Sequence, residues 1–281
     1  MKKILRVFTE RTSMTPVDDM VIVGPPKLPI FMPEANEVHI SCVFTWNKER
    51  AEQLKYQYEN YYDNVKIGGP AYGSKSDKFI AGMYLKKGAT ITTRGCSMNC
   101  PYCQVNRIEG KFREINIEPG HIVQDNNILL SSKKHLDKVF QMLKTQHSIE
   151  FKGGIDCRLL KDWHVEALRG LKINEIWLAL DSDDRIPAFE KACLKLTKAG
   201  FNRNKIRTYV LAGHNEEIQA ATHRLELAYK CGTLPFIQVY QKAGHHKRYA
   251  DERQRADNLF VHLWSRPAAI KAYMRGKHNE E

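Results

Sequence analysis

From residue 89 onward, short apolar runs alternate with amphipathic stretches along the chain. Helices are predicted for the amphipathic stretches, for example over residues 132–146 and 162–170. Strands and helices that alternate in this way form a parallel sheet. The pattern therefore predicts an α/β fold, an open partial (βα)6 barrel with its chemistry at the carboxyl ends of the strands. The six predicted strands are residues 89–93, 127–131, 148–152, 175–180, 205–211 and 235–240.

The first 88 residues have a different pattern, because several prolines near the start are typical of loops. A single strand–helix–strand unit follows, with strands at residues 38–44 and 65–69 and a helix at 48–62. We therefore predict three parts of the chain. These are a small N-terminal βαβ accessory domain over 1–88, the partial barrel over 89–241 and a C-terminal helical extension over 242–281, with a helix at 251–263.

The composition is that of an ordinary soluble protein, with 42% hydrophobic and 27% charged residues in a chain of 281. No apolar run is long enough to cross a membrane, and the N-terminus does not resemble a signal peptide. Three of the seven cysteines fall within eight residues, which favours one metal site and reduced thiols over a disulfide framework. We therefore expect a cytoplasmic protein with no membrane partner.

The net charge is +12, from 44 Lys plus Arg against 32 Asp plus Glu, which favours a polyanionic partner such as RNA or DNA. Seven basic residues lie between positions 185 and 207, with Glu190 as the single acid. Two interpretations stay open for this stretch. It is either a nucleic-acid-binding face or the solvated side of a helix.

Cys96, Cys100 and Cys103 lie on one short loop directly after the first predicted strand. Three thiolates suit a cubane iron–sulfur cluster with one iron left open for a small molecule, since electron-transfer clusters usually have four cysteine ligands. The alternative is zinc, which needs a fourth ligand such as His121 and usually a second CxxC pair. No second pair is present, so the cluster is the favoured prediction.

The CxxxCxxC spacing, with Tyr102 just before the last cysteine, resembles the radical S-adenosylmethionine (SAM) superfamily over residues 89–241. The resemblance implies a [4Fe-4S] cluster whose open iron is chelated by SAM. It also implies reductive cleavage of SAM to methionine and a 5′-deoxyadenosyl radical that abstracts hydrogen from a substrate. A reductant such as flavodoxin or ferredoxin is then the expected electron donor.

Weaker signatures of that superfamily follow in the expected order. Residues 125–127 stand where the family binds the amino group of SAM, 180–183 resemble its ribose-binding or carboxylate-binding segment, and 210–217 resemble its adenine-binding region. Each of these segments is also explained by ordinary turn or capping chemistry. The residues that the resemblance assigns to SAM are Tyr102, Asp125, Asn126, Asn127, Ser182, Leu211 and Gly213.

Cys157 follows the third predicted strand, at the mouth of the barrel where substrate radicals would form. A thiol at this place is a candidate hydrogen-atom donor to a product radical. The alternative is a buried and inert cysteine, which is the usual role of an isolated cysteine.

Residues 38–73 resemble a shortened form of the domain that precedes the barrel in cobalamin-binding radical enzymes. The DxHxxG cobalamin motif of that branch is absent here, so a domain that no longer binds cobalamin is favoured. The function expected overall is radical modification of a nucleobase in tRNA or DNA. The alternatives are modification of a small metabolite or peptide, and a non-enzymatic iron–sulfur electron carrier or nucleic-acid-binding sensor.

Overall fold

The computed structural model describes residues 3–73, 82–241 and 254–278. The chain divides into two compact units. The first contains the described residues up to 99 together with 103–120, and the second contains 100–102, 121–241 and 254–278. Cys96 and Cys103 therefore belong to the first unit, and Cys100 belongs to the second.

The first unit contains a four-stranded parallel sheet in the order β2-β1-β3-β4. Its strands are β1 (Ile4–Phe8), β2 (Val21–Val23), β3 (Glu37–Ser41) and β4 (Val65–Gly68). Helix α1 (Lys48–Tyr58) joins β3 to β4. The predicted strand–helix–strand unit is present, but the prediction of a single βαβ unit was wrong, because β1 and β2 add two strands to it.

The core of this sheet follows the alternation expected of strands, with Leu5 and Val7 of β1 and Val38 and Ile40 of β3 buried. Leu54 and the other buried residues of α1 pack into the same cluster.

The rest of the first unit consists of short elements around the cysteine loop. These are β5 (Ala89–Thr90), β6 (Thr93–Arg94), α2 (Val105–Glu109) and β7 (Arg113–Glu114). Strands β6 and β7 pair antiparallel. The predicted strand at residues 89–93 is therefore divided between two elements, β5 and β6.

Five strands of the second unit run parallel in the order β12-β11-β10-β9-β8. The prediction is confirmed for the third to sixth strands, with ends shifted by one to three residues. It was wrong for the second, because residues 128–130 form a short 3-10 helix and the strand lies at 122–123. The strands are β8 (Ile122–Val123), β9 (Ile149–Ile155), β10 (Ile173–Ala179), β11 (Ile206–Ala212) and β12 (Leu234–Val239).

Helices follow these strands in sequence, as the alternating pattern predicts. They are α3 (Lys133–Lys144), α4 (Asp162–Arg169), α5 (Ile186–Lys198), α6 (Thr222–Lys230), α7 (Gln254–Ser265) and α8 (Pro267–His278). The predicted C-terminal helix corresponds to α7, although its predicted start at 251–253 lies outside the described residues, and α8 was not predicted. Among the described residues, no helix is long and apolar enough to span a membrane.

The two faces of the central strands differ. Ile176 and Leu178 of β10 are fully buried, as are Ile206 and Val210 of β11. The opposite face is only half-buried and carries an aromatic layer, in which the Trp177 and Tyr209 rings stack at 4.1 Å with Phe236 at their edge.

A group of charged side chains lies beside this aromatic layer on the same face. Glu175 accepts hydrogen bonds from Lys152, from the Trp177 indole at 3.0 Å and from Arg207 at 3.3 Å. Each of these residues precedes the carboxyl end of its strand. The carboxyl ends of β9, β10 and β11 carry smaller or less polar residues on this face, namely Gly154, Ala179 and Leu211.

Candidate functional site at the cysteine motif and the strand ends

A tight glycine turn leads into the cysteine motif within the first unit. Gly95 has a φ of +70°, and a Cβ on it would lie 2.3 Å from the Lys111 carbonyl oxygen. The Gly95 amide donates to Glu109 at 3.0 Å, and the Cys96 amide donates to the Gly110 carbonyl at 3.3 Å. Only glycine fits this turn without displacing backbone, so the start of the loop is fixed.

The cysteines of the motif form no disulfide and lie in accessible positions. Cys96 and Cys100 are half-buried and Cys103 is exposed. The Cys103 sulfur accepts a hydrogen bond from the Val105 amide at 3.5 Å. In the described part of the chain, no three His, Cys, Asp or Glu side chains are grouped as ligands of a single metal ion. A cubane cluster differs from such a site, because each of its thiolates binds a different iron.

In the second unit, two arginines point at the Cys100 sulfur. Nitrogen atoms of the Arg185 and Arg158 guanidinium groups lie 3.4 Å and 4.0 Å from it. Arg158 is held in place by Asp156, which accepts its Nε at 2.8 Å and its terminal nitrogen at 2.6 Å. The strand ends that follow β9 and β10 therefore supply two positive charges to one cysteine of the motif.

Asn127 joins the segment after β8 to this group. Its side chain is 4% exposed, and its amide nitrogen donates to Asp156 at 3.2 Å. Its side-chain carbonyl oxygen is buried and has no hydrogen-bond partner among the described residues. Asp125 is also buried, and Asn126 is half-buried. A buried acceptor of this kind is costly unless a donor is supplied, and an ammonium group is a strong donor.

Burial and neighbouring charges shift the acids at these strand ends in opposite directions. Burial would raise the pKa of Asp156, but the hydrogen bonds and charge of Arg158 lower it below the ordinary value. At Asp181, burial dominates and raises the pKa. Burial, and then the neighbouring Asp181 carboxyl, also raise the pKa of Tyr102. The Tyr102 phenol therefore stays protonated at neutral pH.

The other candidate residues lie at the ends of β10 and β11. The Tyr102 ring packs edge-on against His214, with centroids 5.6 Å apart, and His214 contacts Tyr240 in the same way at 4.7 Å. Ser182 is half-buried, and its hydroxyl donates to Asp184 at 2.5 Å without capping a helix. Gly213 has a φ of +80°, which fixes a sharp turn directly after β11.

A buried arginine ties the loops after β10 and β11 together. Arg224 of α6 is 3% exposed and donates to Asp183 at 2.8 Å, to the Leu211 carbonyl at 3.1 Å and to Glu216. This side chain therefore sets the spacing between the loop that carries Ser182 and the loop that begins at Leu211.

Cys157 is 8% exposed, in a short 3-10 helix after β9. Its sulfur lies 3.9 Å from the carbonyl oxygens of Ile155 and Ala179, and burial raises its pKa to about 12. The side chain is thus a protonated thiol at neutral pH. Its role as a hydrogen-atom donor stays a prediction.

The fold was compared with solved structures. A radical S-adenosylmethionine methyltransferase, TsrM from Kitasatospora setae, solved with cobalamin and a [4Fe-4S] cluster bound, matches with a TM-score of 0.60. The match covers 87% of this chain and 77% of that one, at 9% sequence identity. This chain shares that fold. No family model matches the sequence, and no curated protein matches it either.

The side chains present fit the cofactors of such a fold. Cys96, Cys100 and Cys103 form no disulfide, and the sulfurs of Cys100 and Cys103 accept N–H hydrogen bonds, as cluster thiolates do. The unpartnered Asn127 oxygen suits the amino group of SAM.

Sequence reasoning included Asp181 only within the 180–183 segment, and it did not assign the other charged residues of the second unit's strand ends to the site, namely Asp156, Arg158 and Arg185. Arg185 was assigned to the basic stretch instead, although its guanidinium faces Cys100. Their positions in the sequence could have identified them, because polar residues directly after parallel strands gather at one edge of a sheet.

Proposed function

We propose that this protein is a radical SAM enzyme, with a partial (βα)6 barrel that holds a [4Fe-4S] cluster on Cys96, Cys100 and Cys103. The observation that carries the proposal is the hydrogen-bonded chain from Asn127 through Asp156 and Arg158 to Cys100. It links a segment that the resemblance assigns to SAM with a cysteine assigned to the cluster, in a chain with the fold of a radical SAM methyltransferase.

When bound and reduced, the cluster supplies the electron that splits a carbon–sulfur bond of SAM, giving methionine and a 5′-deoxyadenosyl radical. The Asn127 side-chain oxygen would accept from the SAM amino group. Ser182 would contact its ribose or carboxylate, and the backbone from Leu211 to Gly213 would line the adenine. Tyr102 packs against His214 and closes this side of the site. A reductant such as flavodoxin or ferredoxin would supply the electron.

The test is anaerobic reconstitution followed by reduction in the presence of SAM. We expect about four irons per chain and formation of 5′-deoxyadenosine under dithionite. Replacing Cys96, Cys100 or Cys103 with Ala should abolish both. Cys231→Ala is the matched control, because Cys231 is a half-buried cysteine outside the motif and its loss should leave the iron content unchanged.

Two other outcomes would contradict the proposal. Stoichiometric zinc and no iron after anaerobic reconstitution would indicate a zinc site. A stable cluster with no 5′-deoxyadenosine would favour the electron carrier or nucleic-acid-binding sensor.

For the substrate, we propose a nucleobase in tRNA or DNA, with the net charge of +12 as support. The basic stretch at 185–207 supports it less than the sequence alone indicated. Arg203 donates to backbone carbonyls and Arg207 donates to Glu175, while Lys195 pairs with Asp162. Three lysines of the stretch remain exposed, and these are Lys191, Lys198 and Lys205.

The substrate proposal is tested by tRNA binding to the wild type and to a variant with those three lysines changed to Glu. We expect weaker binding and a smaller salt dependence in the variant, because phosphate contacts are lost. Deuterium transfer into 5′-deoxyadenosine from a labelled nucleic-acid pool tests the chemistry itself. Transfer only from a small-molecule or peptide pool would favour the alternative substrate.

A further inference from the structure

The two arginines at Cys100 differ in how strongly their charge is compensated. The Asp156 carboxylate accepts two hydrogen bonds from the Arg158 guanidinium, of 2.8 Å and 2.6 Å, and so compensates its charge. Arg185 pairs with Asp184 at 3.4 Å, and the side chain of Asp184 is 74% exposed. The Arg185 side chain is itself only 15% exposed and is nearer to the sulfur. We therefore expect Arg185 to interact more strongly with the Cys100 sulfur than Arg158 does.

Hydrogen bonds to cluster sulfurs and nearby positive charges favour the reduced form of an iron–sulfur cluster, because reduction adds negative charge. The effect is strongest when the donor is partly shielded from water, where charge interactions are less screened. Arg185 donates to the Cys100 sulfur and is partly shielded from water. Arg158 also faces this sulfur, but at a longer distance and with its charge balanced by Asp156.

We propose that Arg185 raises the reduction potential of the cluster by donating to the Cys100 sulfur, with Arg158 as a weaker second donor. Arg185 is thus a positioning residue that acts through Cys100. The inference rests on the proposed function, because it requires a cluster at the cysteine motif. It adds a role that the CxxxCxxC spacing does not contain, since Arg185 lies 85 residues from Cys100 in sequence.

The experiment compares the reconstituted wild type with Arg185→Gln, Arg185→Lys and Arg158→Gln. Arg169→Gln is the matched control, because it removes the same charge from an exposed position at the end of α4. Helix α4 begins after the end of β9 and runs back along the sheet, so its last residue lies away from the strand ends. Iron content and the EPR signal of the reduced cluster are measured first, followed by an EPR-monitored redox titration.

At the midpoint potential of the wild type, we expect the ratio of reduced to oxidised cluster to fall about tenfold in Arg185→Gln. For a one-electron couple this corresponds to a shift of about 59 mV. Arg158→Gln should shift the midpoint in the same direction by less. Arg185→Lys should keep most of the potential, since it keeps the charge, and Arg169→Gln should match the wild type.

The inference is overturned if Arg185→Gln titrates at the same midpoint as Arg169→Gln. If Arg185→Gln does not retain the cluster, the comparison of Arg185→Lys, Arg158→Gln and wild type decides, and equal midpoints in all three overturn the inference. The failure of the proposed function is distinguishable in the wild type itself, which would then hold no iron, or would hold a cluster that forms no 5′-deoxyadenosine with SAM and dithionite.

Discussion

Replacing Gly153 with Ala should displace the segment that we assign to the SAM amino group. Gly153 lies in β9, and a Cβ at this position would lie 1.7 Å from the Asp125 carbonyl oxygen and 2.7 Å from its carbon. Ordinary contacts between such atoms are about 3.5–4.0 Å. Both obstructing atoms belong to backbone, so the strand and the 125–127 segment must separate by about 2 Å.

A displacement of this size affects stability and binding differently. Overpacking of this kind typically costs about 1–3 kcal/mol of the free energy of unfolding. The Asn127 oxygen would move with the segment, and a loss of about 1.4 kcal/mol in binding free energy corresponds to a tenfold weaker Kd. We expect the Kd for SAM to rise at least tenfold, as measured by calorimetry on reconstituted protein.

Gly154→Ala is the matched control. Gly154 has a φ of +86°, so Ala costs about 1–2 kcal/mol in backbone strain, but nothing lies within 4 Å of its Cβ. It should therefore lower stability by a similar amount while SAM binding stays near the wild-type value. Wild-type Kd and wild-type stability in Gly153→Ala would refute the reasoning, and equal losses of binding in both variants would indicate a general loss of structure.

Three further predictions follow from the same geometry. Arg224→Met should lower the free energy of unfolding by about 1–3 kcal/mol, measured by urea denaturation, because the Leu211 carbonyl and the Glu216 carboxylate lose a buried donor. Burial lowers the pKa of His164 to about 4, and its neutral ring accepts the Lys161 amide at the start of α4. The stability from this contact is therefore complete above about pH 6.5 and is lost as the pH falls towards 4. His164→Gln should flatten that profile in urea titrations at several pH values. Protein incubated with hydroxocobalamin and desalted should retain no cobalamin absorbance, because the DxHxxG motif is absent, and tight retention would contradict this.

Most of the second unit could be predicted from its pattern, because β11 alternates buried and half-buried positions along its whole length and β9 and β10 do so over part of theirs. The run at residues 127–131 misled the prediction, since a short apolar run does not distinguish a strand from a single helical turn. Ser132 begins α3 directly after it by accepting the His135 amide, which leaves no room for a strand and a connection.

The first unit was harder to predict because its strand β1 contains a charge. Arg6 interrupts the apolar run, yet it is 9% exposed and its guanidinium is satisfied by Asp18 and by the Met83 carbonyl. Those partners come from other parts of the fold and leave no periodic signal. The same is true of the site, where Cys100 was found from its local spacing but Arg185 was not.

The charged group beside the aromatic layer of the second unit constrains how this half-buried face can change over evolution. Glu175 pairs with both Lys152 and Arg207, and Lys152 also pairs with Glu150, so losing Glu175 leaves the partly buried Arg207 without this acid. Apolar replacement is tolerated when all the partners change together. Single substitutions of Glu175 should therefore be rare, whereas Ala179, whose side chain carries no polar group, can vary alone. Substitutions on this face should therefore accumulate around the charged group before they reach Glu175 itself.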